Sequence, residues 1–125
     1  MTPKILGDRG ENLVVELLKA QGWSIVATQW RCIWGELDIV ASDRNWLVFI
    51  EVKTRSSGNW DLNGAMAITK SKQKKIYSSA LQFLGSHQWL STLSCRFDVA
   101  LVLVNAYGDL TLNDYIESAF NGEEL

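Results

Sequence analysis

Asp38, Glu51 and Lys53 are the residues of this 125-residue chain whose types and spacing could do chemistry together. Strand side chains alternate between faces, so in Phe49-Ile50-Glu51-Val52-Lys53 the glutamate and lysine project to one side, Ile50 and Val52 to the other. In the preceding segment Glu36 and Asp38 go one way, Leu37 and Ile39 the other. Between the two lies Ser42-Asp43-Arg44-Asn45, a turn composition that makes the pair a hairpin. With Ser42 opposite Leu47, Val40 faces Phe49, Asp38 faces Glu51 and Glu36 faces Lys53. A slip of one residue would scatter the set over both faces. Facing carboxylates repel, and their apolar flanks make an uncompensated pair costlier still. Either one takes a proton or a cation sits between them. Oxygen-only ligands favour a hard ion such as Mg2+, which keeps waters and binds through one or two carboxylates plus substrate phosphate. Lys53 beside such an ion could position an attacking water or neutralise charge growing on a phosphate oxygen. Ion pairs Glu36–Lys53 and Asp38–Arg55 on a solvated face fit the same spacing, and spacing alone does not choose between the readings.

A second feature follows directly along the chain. Lys53, Arg55, Lys70, Lys72, Lys74 and Lys75 face a single anion, Asp61, over residues 53–75, a net +5 against −7 in the remainder. Phosphate contacts from lysine and arginine hold a nucleic acid without reading its sequence. A solvated, lysine-rich helix face is the plainer account. Four lysines in the first half of a helix oppose its dipole, however, so a purely structural advantage is hard to find. Of six tryptophans, Trp60 stands in the polar loop 56–61 and is the candidate for stacking on a ligand. His87, the only histidine, reads as a solvated loop residue, and Cys32 and Cys95 lack neighbours at metal-ligand spacing.

The elements that must position these groups are readable from periodicity. Leu13, Val14, Leu17 and Leu18 recur at helical spacing over 8–21, with Gly22 as the stop and Asp8 with Glu11 as a capping box. Strands are expected over 23–30, 37–41 and 46–54, followed by a Gly- and Ser-bearing loop over 56–64. A second helix takes Thr69 as its N-cap and runs to Gly85, with Ile76, Ala80, Phe83 and Leu84 inward. The run 96–104 is a strand buried on both faces, and 110–116 a last strand. The expected fold class is α/β: a mixed five-stranded sheet flanked by helices, in the order α-β-β-β-α-β-β.

With the elements in place, the motifs acquire a family likeness. Gly35-Glu36-Leu37-Asp38-Ile39-Val40-Ala41, the 13-residue step from Asp38 to Glu51, and Phe49 through Arg55 resemble the active-site hairpin of the PD-(D/E)xK nucleases, the restriction-endonuclease-like superfamily. Within it the chain resembles the small bacterial YraN family of uncharacterised endonuclease-like proteins. The likeness extends through Gly10-Glu11, Trp30-Arg31, 69–73, Arg96-Phe97-Asp98-Val99 and 116–120, almost the whole chain. It implies that Asp38 and Glu51 bind metal, that Lys53 is the catalytic lysine, and that Val52 offers its backbone carbonyl. It also implies a match between Glu11 and the acid that archaeal Holliday-junction resolvases carry on their first helix. Gln73 and Tyr77 resemble the Gln-x-x-x-Tyr of RecB-type nuclease domains and share a helix face, although helix packing also accounts for Tyr77. Leu37 stands where the superfamily's name has proline, a position outside the chemistry.

Composition bounds the alternatives. With 47% apolar and 21% charged residues, the chain reads as one globular domain over 1–125, burying about two-thirds of its unfolded surface. A net charge of −2 argues against indiscriminate coating of nucleic acid, and the apolar fraction excludes disorder. No apolar run reaches the ~20 residues of a membrane span, the start carries no signal-peptide core, and the cysteine usage fits a cytoplasmic protein without membrane contact. The reading expected from the Asp38/Glu51/Lys53 cluster and implied by the resemblance is an enzyme that hydrolyses DNA phosphodiester bonds with Mg2+ or Mn2+, acting on structured or branched DNA. A symmetric cut at a junction would call for a homodimer. The alternative is a non-catalytic nucleic-acid-binding module that retains the fold, and a structural interaction domain is a third.

Overall fold

Thr2 and Pro3 start the first helix, α1 (Pro3–Ala20), earlier than the apolar periodicity indicates. The Thr2 hydroxyl accepts the Ile5 N–H at 3.2 Å, and proline is pre-shaped for the first helical position. The expected capping box at Asp8 is therefore absent. Asp8 lies mid-helix, paired with Lys4 one turn back (3.2 Å) and accepting from the Gln29 amide (2.9 Å). Glu11 is released from any capping role. Gly22, at φ 94°, takes the left-handed step beyond the helix end that a Cβ would strain.

The computed structural model describes residues 2–56 and 68–122. Within them lie the strands β1 (Ser24–Cys32), β2 (Gly35–Ser42), β3 (Trp46–Ser56), β4 (Ser94–Val104) and β5 (Leu110–Phe120), and the helix α2 (Lys70–Ser86). The expected order and the mixed five-stranded sheet stand, with strands β1 to β5 side by side in sequence order. Among these strands only β3 and β4 pair in parallel, and α2 lies on the connection that such a pair requires. Thr69 caps α2 as expected, accepting the Lys72 N–H at 3.1 Å. Most of the loop 56–64, with Trp60, lies outside the described residues.

The two helices cover opposite faces. Val14 and Leu18 of α1 pack on Ile39, Ala41, Val48, Ile50, Ala100 and Val102. Ile76, Ala80 and Phe83 of α2 pack on Val40, Leu47, Phe49, Val99 and Leu101. His87 is not a solvated loop residue: it ends α2, its ring stacked on Phe83 at 3.9 Å with Nδ1 2.9 Å from the Phe83 carbonyl. Among the described residues no helix is long and apolar enough to cross a membrane.

The β2–β3 register is the expected one, running from Ser42 opposite Leu47 to Ile39 opposite Ile50. Asp43 fixes the turn by accepting the Asn45 and Trp46 N–H groups at 2.8 and 2.7 Å. The ladder stops at Ile39, so Asp38–Glu51 and Glu36–Lys53 are not ladder pairs. Leu37 and Ile39 also belong to opposite faces, contrary to simple alternation: Leu37 joins the cluster under α2, Ile39 the one under α1. The cause lies across β1. Thr28 pairs with Ile39 and Trp30 with Leu37, while Gln29, level with Asp38, adopts φ 48°. One left-handed residue turns the distal hairpin arm over, a conformation uncommon outside glycine and found at functional positions.

A second irregularity joins β4 to β5. Asp98 is fully buried and accepts from the Arg96 guanidinium (2.9 to 3.2 Å), the Tyr115 hydroxyl (2.7 Å) and the Ser118 N–H (3.0 Å). Ser118 sits at φ 50° where the β4–β5 register shifts. Arg96 also lies over the rings of Trp23 (5.6 Å) and Trp46 (5.5 Å).

Candidate active site

Where β2 leaves β3, the backbone pairing is replaced by a side chain: Asp38 Oδ2 accepts the Val52 N–H at 2.9 Å. The departure opens a cleft of about 480 Å3 between the first half of α1 and the end of β3, its walls including Gly7, Glu11, Asp38, Glu51, Lys53 and Arg55. Three elements thus bring Glu11, Asp38 and Glu51 to one place. The helix reaches it because Gly10 lets α1 lie directly on Thr54 of β3; a Cβ on Gly10 would collide with the Thr54 hydroxyl.

The electrostatics are those of too many acids in too little water. Burial, followed by the charges of Asp38, Glu36 and Asp8, pushes the Glu11 carboxyl up to about 7, opposed by a hydrogen bond from Gln29. Glu51 is pushed up to about 8, by burial first and then by the Asp38 charge, with Lys72 and Lys53 acting against the shift. Asp38 is raised by burial as well, held back by the Val52 N–H and by the proton it shares with Glu51. Lys72 of α2 reaches the cluster, its ammonium 3.5 Å from Glu51 Oε1. Glu11 Oε1 is buried without a hydrogen-bond partner.

Glu36, expected on the face of Asp38 with Lys53 opposite, stands with the acids. Glu11, Glu36 and Asp38 each bring a carboxylate oxygen within 4.8 Å of the others. Glu36 also pairs with Arg31 at 3.0 Å rather than with Lys53. Its two-residue offset from Asp38 was a visible signal; what set it aside was the expected pairing with Lys53 across the hairpin, a ladder pair that does not form. Gln29 carried no signal at all, since nothing in a glutamine marks a left-handed backbone. An all-oxygen donor set with one buried, unpartnered oxygen suits a hard cation, Mg2+ or Mn2+, with Glu11, Glu36 and Asp38 as holders and Glu51 alongside.

The remaining expected residues divide. Val52 lines the cleft, its N–H occupied by Asp38. Arg55 also lines it and donates to the Thr54 carbonyl at 2.9 Å. Lys70, Lys74 and Lys75 are exposed on α2. Gln73 is half-buried, donating to the Ile68 carbonyl at 3.0 Å while its own amide oxygen is buried without a partner. Tyr77 packs on Phe97 (6.1 Å between rings) and against Gly122, so helix packing accounts for it.

The comparisons with known proteins cover this same stretch. The model of the Uncharacterised protein family UPF0102 matches residues 10–102, from the start of the Glu11 turn to the buried β4 strand. A UPF0102 protein of Synechococcus sp. (strain JA-3-3Ab) is 49% identical over 117 residues, covering 91% of this chain and 88% of its own. One from Thermosynechococcus vestitus is 47% identical over 121 residues, covering 96% and 97%. One from Synechocystis sp. is 41% identical over 117 residues, covering 92% and 77%. With the family model spanning most of the chain and relatives of this identity spanning nearly all of it, the chain belongs to the Uncharacterised protein family UPF0102.

Proposed function

We propose that the chain is a metal-dependent nuclease that hydrolyses DNA phosphodiester bonds, with structured or branched DNA as its substrate. The observation that carries this reading is the convergence of Glu11, Asp38 and Glu51, with Lys53, in an open cleft at the point where β2 parts from β3. The resemblance to the PD-(D/E)xK nucleases, and to their YraN branch, draws on the same residues. A bound Mg2+ or Mn2+ would supply charge for a phosphoryl oxygen and lower the pKa of a bound water. Asp38, Glu36 and Glu11 would hold it, and Glu51 would release its proton as the positive charge arrives. Lys53, two residues along β3 from Glu51, presents a cation to the same cleft, where it can orient water or offset charge on a non-bridging oxygen. The exposed Lys70, Lys74 and Lys75 supply contacts to the phosphate backbone.

The test is incubation of the purified chain with Mg2+ or Mn2+ and a panel of single-stranded, flap and four-way-junction DNAs. Cleavage is expected, and Lys53→Ala and Glu51→Ala should each slow it by about 100-fold or more. Cleavage unchanged in both variants would place the chemistry elsewhere. A second reading rests on Lys72, whose ammonium already stands 3.5 Å from Glu51 Oε1, inside the acidic cluster. In that case the chain is a non-catalytic nucleic-acid-binding module, and salt-dependent DNA binding with no cleavage under any divalent metal is the result expected.

A further inference from the structure

The loop joining β1 to β2 consists of Ile33 and Trp34, two large apolar residues where hairpin chemistry asks for asparagine or glycine. Gly35 makes the choice sterically feasible by taking the positive φ, at 140°. Ile33 is 85% exposed and Trp34 49% exposed. The arm that carries them runs on from the site, because the ladder of β2 with β3 ends at Ile39. At about 3.3 Å per residue, Trp34 stands about 13 Å along β2 from Asp38, the length of roughly four base steps. An exposed apolar tip of this size is too small for a stable protein interface, which needs about 800 Å2 from each partner. Pairing of the free β1 edge with another copy is opposed by the register shift between Ile25 and Ala27 and by the left-handed Gln29. An aliphatic and an aromatic side chain on a narrow projection are the right shape for entering a base stack, where apolar wedges part adjacent bases.

We infer that Ile33 and Trp34 form a wedge that inserts between bases at a branch or strand end and so sets the preference for structured DNA. The inference rests on the nuclease reading of the neighbouring cleft and adds to it the feature of the substrate that is recognised. Base stacking on an aromatic side chain corresponds to about tenfold or more in affinity. The experiment compares binding of the full chain to a labelled forked duplex and to a linear duplex of equal length, with Ca2+ in place of Mg2+. Wild type, Ile33→Ser/Trp34→Ser, and Trp89→Ser, a comparably exposed tryptophan (71%) beyond α2, are compared. Wild type and Trp89→Ser should prefer the fork by about tenfold, and the double variant by less than about twofold, with linear-duplex affinity unchanged. A 2-aminopurine at the branch should brighten with wild type and not with the double variant. Sedimentation shows whether the substitution also changes the number of copies in solution. A fork preference that survives the double substitution, or a dimer that dissociates with it, overturns the wedge. Equal binding of both DNAs by wild type overturns the wedge and leaves the nuclease reading standing, whereas absence of DNA binding overturns both.

Discussion

At the residue scale, the protons on Glu11 and Glu51 make a claim about stability as well as chemistry. Both carboxyls are raised from an ordinary 4.5, to about 7 and about 8. A raised acid favours the folded state while it is protonated, so that contribution is full below 4.5 and is lost as pH climbs through 7 and 8. Glu51→Gln, which cannot ionise, should therefore gain on wild type between pH 4.5 and 8 in metal-free thermal melts. A gap between the two that stays flat with pH would contradict the buried proton. Mg2+ or Mn2+ should reverse the wild-type loss, adding about 2.7 kcal/mol at a hundredfold excess over Kd. Asp38→Asn should remove most of that metal-dependent rise in Tm. Asp38 itself was legible from its spacing to Glu51. Its second task, taking the Val52 N–H in place of a ladder partner, was not, because which backbone groups lose their partners depends on where two strands part.

At the scale of elements, the site depends on how closely α1 approaches β3. Gly10→Ala brings a methyl into the Thr54 side chain. Overpacking of this kind costs about 1–3 kcal/mol, more than the 0.5–1 kcal/mol that alanine gains over glycine within a helix. Urea unfolding should show a net loss, and Thr54→Ala in the same chain should recover part of it; additive losses would mean that the close approach is not the cause. Further along the same face, Asp98→Ala takes from the Arg96 guanidinium, 12% exposed, its nearest carboxylate, leaving only Glu117 at 3.9 Å, and leaves the Ser118 N–H without its acceptor. A loss of about 3–5 kcal/mol is expected, read by the same unfolding curve. The register of β2 on β3 and the Thr69 cap could be read in advance because apolar alternation and a capping hydroxyl are local signals. The start of α1 was misplaced because Asp8 and Glu11 imitate a cap, whereas Thr2 and Pro3, the true start, precede any apolar repeat. The reversal of faces at Gln29 and Asp38 was out of reach, since it is a backbone event with no compositional mark.

At the scale of the whole molecule, the net charge of −2 conceals two regions of opposite sign. The acids gather at the cleft, while Lys70, Lys74 and Lys75 stand exposed on α2. Their joint replacement by alanine should weaken DNA binding at low salt and flatten the dependence of log Kd on log salt by about 0.7–0.9 for each phosphate no longer neutralised. A slope identical to wild type would remove α2 from the interface. The sheet order carries a consequence of a different kind, for how the chain folds. β1, β2 and β3 join through tight turns, Ile33-Trp34 and 43–45, while the parallel β3–β4 ladder must wait for the chain from Ser56 to Ser94 to close. Loop-closure entropy makes the short-range hairpins the inexpensive early contacts and the parallel seam the late one. Asp38 and Glu51 thus come together on a three-stranded meander before Lys72 arrives with α2, and the acids meet while still open to water.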